Sequence, residues 1–329
     1  MPISTRLTER LGIEHPILLA PMGTAAGGKL AAAVTAAGGL GLIGGGYGDA
    51  DWLAQEFKAA ANARVGCGFI TWSLARKPHL LDQVLGHSPA ALMLSFGSPL
   101  PFAPKIKASG APLICQVQTM AHAREAVEAG ADIIVAQGAE AGGHGVSRAT
   151  LTLVPEVSDY LARSAPATLL VAAGGIADGR GLAAALMLGA DGILMGSRFW
   201  ASDEALVPKS FQAAAVAAAG DDTVRTTVMD VARKIDWPAP FTGRALKTGF
   251  TLQWHGREAE LGEPAVQERE MQRYFEASRR GDVENCGVFI GEAVGLIADV
   301  RPAGAILCQI VSEAEALLAR KPPALLGAR

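Results

Sequence analysis

The chain has 329 residues, room for two ordinary domains or for one large α/β barrel with an appended module at roughly 150 residues per domain. Half of the residues are hydrophobic, 39 are Gly and only 19% are charged, which excludes a disordered chain and points to buried strands joined by tight turns. With 29 Lys plus Arg against 32 Asp plus Glu, the net charge of −3 offers no basic surface to nucleic acid or anionic lipid.

From the amino end, residues 1–10 mix polar, charged and apolar types with no apolar core before a small-residue cleavage site, so no export signal is expected. The longest apolar stretches, such as residues 168–173, fall far short of the roughly 20 residues a membrane helix needs. The expectation is a soluble cytoplasmic protein without a membrane partner. Continuous apolar runs bounded by Gly or Pro mark strands buried on both faces, as in a parallel sheet. Eight such runs stand at residues 15–20, 39–43, 65–70, 91–95, 112–117, 132–136, 168–173 and 191–195. Between them, residues 29–37, 50–61, 120–129 and 179–188 are rich in Ala, Leu, Glu and Lys, and several end at Gly, as helices do. Repeated strand-helix units predict an α/β fold of the (β/α)8 TIM barrel kind, with an open doubly wound sheet as the second choice.

Beyond Trp200 the strand pattern stops, and the remaining chain is too long for one closing helix. Residues 205–218 and 223–234 read as helical, Trp237-Pro238-Ala239-Pro240 breaks the pattern, and 256–285 is densely charged, as solvated helix faces over one barrel mouth would be. Residues 305–320 place Ile306, Leu307, Ile310, Val311, Ala314 and Leu317 on one helical face. The expected division is a barrel over 1–204, with 286–329 packing back on it, and a smaller, mainly helical substrate or lid domain over 205–285. A homodimer paired through surface helices is neither required nor excluded.

In a barrel, chemistry belongs at the carboxyl ends of the strands, with phosphate favoured after the seventh and eighth. Those loops read Gly174-Gly175-Ile176-Ala177-Asp178-Gly179 and Gly196-Ser197-Arg198-Phe199, where missing Cβ atoms leave amide groups free to meet phosphate oxygens. Other strand ends carry Pro21-Met22-Gly23, Thr71-Trp72-Ser73, Phe96-Gly97-Ser98 and the pair Gln116 and Gln118. Apolar surface with a few uncharged hydrogen-bonding groups suits a planar, partly apolar cofactor, although Met22 and Trp72 also fit a plain filling of the barrel mouth. The sharpest signal is Gln137-Gly138-Ala139-Glu140-Ala141-Gly142-Gly143-His144-Gly145, directly beyond the sixth strand. A histidine among glycines at the catalytic face makes His144 the candidate base near neutral pH.

The remaining histidines, His15, His79, His87, His122 and His255, read as structural or surface groups. Gly39-Leu40-Gly41-Leu42-Ile43-Gly44 matches GxGxxG in letters, but its glycines lie within or at the end of the apolar run, which favours a Gly-rich barrel strand over a dinucleotide site. Cys67, Cys115, Cys286 and Cys308 form no CxxC pair and have no His at zinc-ligand spacing, so neither a metal nor a disulfide is expected. No carboxylate pair recurs at the strand ends, and no Gly-x-Ser-x-Gly elbow or HExxH motif is present.

The ordered set Pro16–Gly23, Ala37–Gly41, Ala136–Gly145, Ala172–Gly181 and Leu188–Phe199 resembles the nitronate monooxygenases, formerly called 2-nitropropane dioxygenases. The run from Gln116 through Gly145 is its most specific part. The resemblance implies an FMN-binding barrel with a smaller helical domain. It implies that Pro21, Met22 and Gly23 lie under or beside the flavin ring, that Gln137, Gly142 and Gly143 touch the cofactor, and that Gly174, Gly175, Gly196 and Ser197 hold its phosphate. Thr71 and Gln116 complete the cofactor lining, and His144 matches the substrate-activating histidine. The implied reaction is oxidative denitrification: an alkyl nitronate, or a nitroalkane deprotonated by neutral His144, gives an electron to FMN, O2 re-oxidises the flavin, and a carbonyl compound and nitrite are released. An imidazolium at His144 would hold the nitronate anion. The chain departs from relatives at Gln116, where flavin reductases often carry Lys, and at Thr71, where Asn is frequent.

The alternative enzyme on the same barrel is an FMN-dependent NAD(P)H reductase of quinones or enoyl thioesters. A flavin- or metabolite-binding module without turnover is a third reading. A class I aldolase would need a buried strand lysine, which the expected strands do not contain.

Overall fold

The computed structural model describes residues 2–325, so the last four residues of the expected 286–329 segment lie outside the described residues. Each continuous apolar run is a barrel strand because alternate side chains belong to two different layers. In the sixth run, Ile133 and Val135 join Leu18, Leu42, Met93, Ile114 and Val171 in the barrel interior. Ile134 and Ala136 instead join Leu94, Val117 and Val157 between barrel and helices.

In chain order the strands are β1 (Ile17–Leu19), β2 (Leu42–Gly46), β3 (Gly66–Ile70), β4 (Leu92–Ser95), β5 (Leu113–Val117), β6 (Ile133–Gln137), β7 (Gly143–Gly145), β8 (Leu169–Ala173), β9 (Gly192–Met195), β10 (Thr223–Thr226) and β11 (Thr242–Leu246). Eight of them form one sheet in the order β1-β9-β8-β6-β5-β4-β3-β2. It closes through Leu40, whose N–H donates to the Ile17 carbonyl and whose own carbonyl accepts from Leu19, both at 3.0 Å. The architecture is a (β/α)8 barrel. Its second strand starts later than the apolar run suggests, because a Cβ at Gly41 would overlap the Ala31 carbonyl: here the chain is pressed against helix Gly28–Ala36.

Helix Arg6–Leu11 closes the amino-terminal floor, with Leu7 and Leu11 in the interior cluster and Arg6 donating twice to Asp191 at 2.8 Å. Helix Ala303–Leu325 buries Ile306, Leu307, Ile310, Val311 and Ala314 among the barrel helices. It packs most closely on helix Gly179–Met187, where a Cβ on Gly179 would stand 2.5 Å from the Ala314 nitrogen.

A separate cluster forms the core of the chain after Trp200, built from Phe211, Met229, Leu246, Trp254, Tyr274 and Ile290 among others. Residues 223–234, expected as one helix, divide into β10 and a short helix Val228–Ala232. Thr223-Val224-Arg225-Thr226 is rich in β-branched residues, and pairing with β11 outweighs the helical composition that follows. The other edge of β11 pairs with β7, which lies in the loop beyond β6, so a barrel loop is stitched to the second core. No helix among the described residues is long and apolar enough to cross a membrane.

Candidate active site at the barrel mouth

All the residues singled out in the sequence stand at the carboxyl ends of barrel strands or in the loops beyond them. Pro21, Met22 and Gly23 follow β1 and lie across β2 and β3. They can do so because Gly44 and Gly68 have no side chain: a Cβ at Gly44 would overlap the Gly23 carbonyl, and one at Gly68 would overlap the Pro21 ring. The glycines of the GxGxxG-like run are therefore accounted for by packing. A Cβ on Gly196 would meet Met22 Sδ at 3.4 Å, which brings the loops after β1 and β9 together. Thr71 starts the helical turn after β3 and is buried, yet its hydroxyl is sealed from solvent with no hydrogen-bond partner among the described residues.

Three amides meet at the next strand ends. Gln116 and Gln118 both donate from Nε2 to Gln137 Oε1, at 2.8 and 2.9 Å, and Gln137 Nε2 donates to the His144 carbonyl at 3.1 Å. The loop from Gly138 to Gly142 is held from outside by two arginines. Arg225 and Arg244 donate to the Ala139 carbonyl at 2.8 and 3.0 Å. Burial pulls Arg225 down to about 10. Gly142 packs on the segment after β11, where a Cβ would come within 2.5 Å of the Gly291 nitrogen, whereas a Cβ on Gly143 would meet nothing within 4 Å. Gly291 N–H in turn donates to Ser197 Oγ at 2.9 Å. Gly174 and Gly175 have φ of +100° and +73°, conformations that favour Gly, and Gly174 approaches the Gly138 carbonyl so closely that a Cβ would stand at 3.0 Å.

His144 is the middle residue of β7, opposite Gly243 of β11, and only 9% of it is exposed. Its Nε2 lies 2.8 Å from Asp230 Oδ2. Asp230, itself buried, accepts at Oδ1 from Arg233 Nη2 at 2.8 Å. The Trp237 ring stacks on the imidazole with centroids 3.4 Å apart and planes 7° from parallel, and its Nε1 donates to the Tyr47 hydroxyl at 2.9 Å. Phe96 and Phe289 stand 6.4 and 5.6 Å from the imidazole centroid. Burial lowers the His144 pKa, opposed by Asp230 and reinforced by Arg233 and Arg225. The surroundings thus favour neutral imidazole, the form a base needs, and disfavour the imidazolium expected to hold an anion. Beside the glutamines, a cavity of about 180 Å³ is lined by Phe96, Gln116, Gln118, His122, Glu125 and Phe241, at the ends of β4 and β5.

Sequence reasoning missed Asp230, Arg233, Phe289 and Tyr47. Asp230 lies 86 residues from His144 and belongs to no local motif. Trp237 was visible only as a helix break beside two prolines. Among the described residues no cluster of ligands suited to a metal ion is present.

A family model described as nitronate monooxygenase matches residues 4–82 and 74–313. A nitronate monooxygenase of Metarhizium robertsii is 35% identical over 344 residues, covering 92% of this chain and 91% of the relative. Among solved structures, FabK from Thermotoga maritima is similar with a TM-score of 0.83 at 32% identity, covering 97% of this chain and 98% of that one. Nitroalkane oxidase from Streptomyces ansochromogenes is similar with a TM-score of 0.75 at 26% identity, covering 93% and 98%.

Proposed function

Since the chain belongs to the nitronate monooxygenase family, we propose that it is an FMN-dependent enzyme converting alkyl nitronates, and nitroalkanes once deprotonated, with O2 into a carbonyl compound and nitrite. The family is one of flavin-dependent oxidoreductases. The observation that carries the finer reading is His144: a buried imidazole, biased to its neutral form, at the mouth of a barrel shared with a nitroalkane oxidase.

Two features support a flavin here. The sealed Thr71 hydroxyl lacks a partner among the described residues, a state that costs about 1–3 kcal/mol unless a ligand satisfies it. The open faces of Gly23 and Gly143 leave room for a ring to approach the backbone. In this reading Pro21, Met22, Gly23, Thr71, Gln116, Gln137, Gly142 and Gly143 would hold the flavin ring, and Gly174, Gly175, Gly196 and Ser197 would hold its phosphate. When bound, the flavin supplies the electron acceptor. His144 removes the acidic C–H proton of a nitroalkane, and the stacked Trp237 with Phe96 and Phe289 keeps water from protonating that base.

The test is an anaerobic visible spectrum of the purified protein before and after an alkyl nitronate is added, followed by chromatography of the released cofactor and a nitrite assay in air. Flavin bands that fade on addition, FMN in the extract, and nitrite are expected. The likeness to FabK leaves room for a second reading, an FMN-dependent NAD(P)H reductase of quinones or enoyl thioesters. Bands that ignore nitronate but fade with NAD(P)H would select it. Failure to bind any flavin would remove both.

A further inference from the structure

Nothing in the family match or in the glycine-rich loops explains why a carboxylate from the second core reaches the histidine of β7. Asp230 Oδ2 stands 2.8 Å from His144 Nε2, and both side chains are nearly sealed, with 4% and 8% of their surfaces exposed. The second carboxylate oxygen is occupied by Arg233, whose guanidinium rests over the Phe289 ring at 5.1 Å. An ionised carboxylate only accepts hydrogen bonds, so at this distance Nε2 must carry the hydrogen. In a neutral imidazole the lone pair then resides on Nδ1, which has no hydrogen-bond partner among the described residues. Trp237 covers one ring face and holds the ring plane.

We propose that Asp230 is the positioning residue for His144: by accepting Nε2–H it fixes the tautomer whose unprotonated Nδ1 takes the substrate proton. The inference rests on the function proposed above and adds how its base is set. In the step itself the nitroalkane C–H bond breaks and an Nδ1–H bond forms. The electron pair stays on the substrate as nitronate, so no oxidant is consumed. Asp230 has a second effect of the same sign. Burial alone would leave His144 a weak base, and the carboxylate offsets part of that loss. The charged groups facing His144 are Asp230, Arg233 and Arg225, while Tyr47 and Tyr274 face Arg233 behind them.

The experiment compares wild type with Asp230→Asn, each loaded with flavin, on a nitroalkane and on its preformed nitronate across pH. Asn can donate to Nε2 and so move the proton to Nδ1. Loss on the nitroalkane is expected to be on the order of a hundredfold or more in kcat/KM, with loss below about tenfold on the nitronate, which needs no base. The acid limb for the nitroalkane should also move to lower pH, because the carboxylate that raised the His144 pKa is gone. Equal loss on both substrates, or none on either, would overturn the assignment. Nitrogen NMR of the wild-type imidazole requires neither turnover nor a variant that folds. Nε2–H with bare Nδ1 is expected, and Nδ1–H in the neutral form would refute the proposal. If wild type oxidises neither substrate, the reaction fails as a reading, while the tautomer still decides what Asp230 does.

Discussion

Thr71 and His144 are buried at the same mouth with opposite needs. A sealed hydroxyl without a partner destabilises the protein that carries it, so Thr71→Val should raise the melting temperature of the flavin-free protein. If that hydroxyl faces the flavin, the same change should weaken flavin binding by about tenfold, the worth of one hydrogen bond. Scanning fluorimetry of flavin-free protein and a flavin titration read the two effects separately; a lower melting temperature together with unchanged affinity would speak against a ligand-facing group. For His144 the question is charge. Its pKa is held by burial below the ordinary histidine value near 6.5, and only the neutral ring is a base. Turnover of a nitroalkane should therefore stay on its plateau as pH falls through that value and decline only below it. An acid limb centred at or above the ordinary value would contradict the environment described.

At the scale of elements, the Pro21–Gly23 loop can lie across β2 and β3 only because both strands present glycine there. Gly68→Ala would drive a methyl into the Pro21 ring, and overpacking of this kind costs typically about 1–3 kcal/mol. The loop carries residues assigned to the flavin, so flavin affinity is expected to fall more sharply than stability in urea; the reverse order would mean that the strand rather than the loop yields. The barrel strands were legible because burial on both faces leaves an unbroken apolar run, as in Ile133–Gln137, whatever lies far away in the chain. β10 was not, since its four residues become a strand only through β11, and β11 precedes a long stretch of helix. The same reason hid half of the candidate site. His144 announced itself by its glycine neighbours, whereas Asp230, Tyr47 and Phe289 acquire meaning only when distant elements converge on it.

Across the whole molecule, the barrel and the second core are joined at His144 twice over. Its backbone lies in β7, paired to β11, and its ring is bonded to Asp230 on the short helix after β10. Acid should therefore act on the junction. The folded state holds the His144 pKa below the value of the unfolded chain, so below about pH 6.5 the unfolded state binds the extra proton more readily and stability falls as pH falls. His122, also lowered by burial, contributes with the same sign. A His144→Gln variant separates the two, since it should flatten the dependence by at most about 1.4 kcal/mol per pH unit, the limit for one proton. Because the small sheet shares strands from both parts, far-ultraviolet circular dichroism and tryptophan fluorescence should report a single coincident transition in acid. Two separated transitions, or a variant with the wild-type pH dependence, would show that the barrel and the second core are held together by something other than this junction.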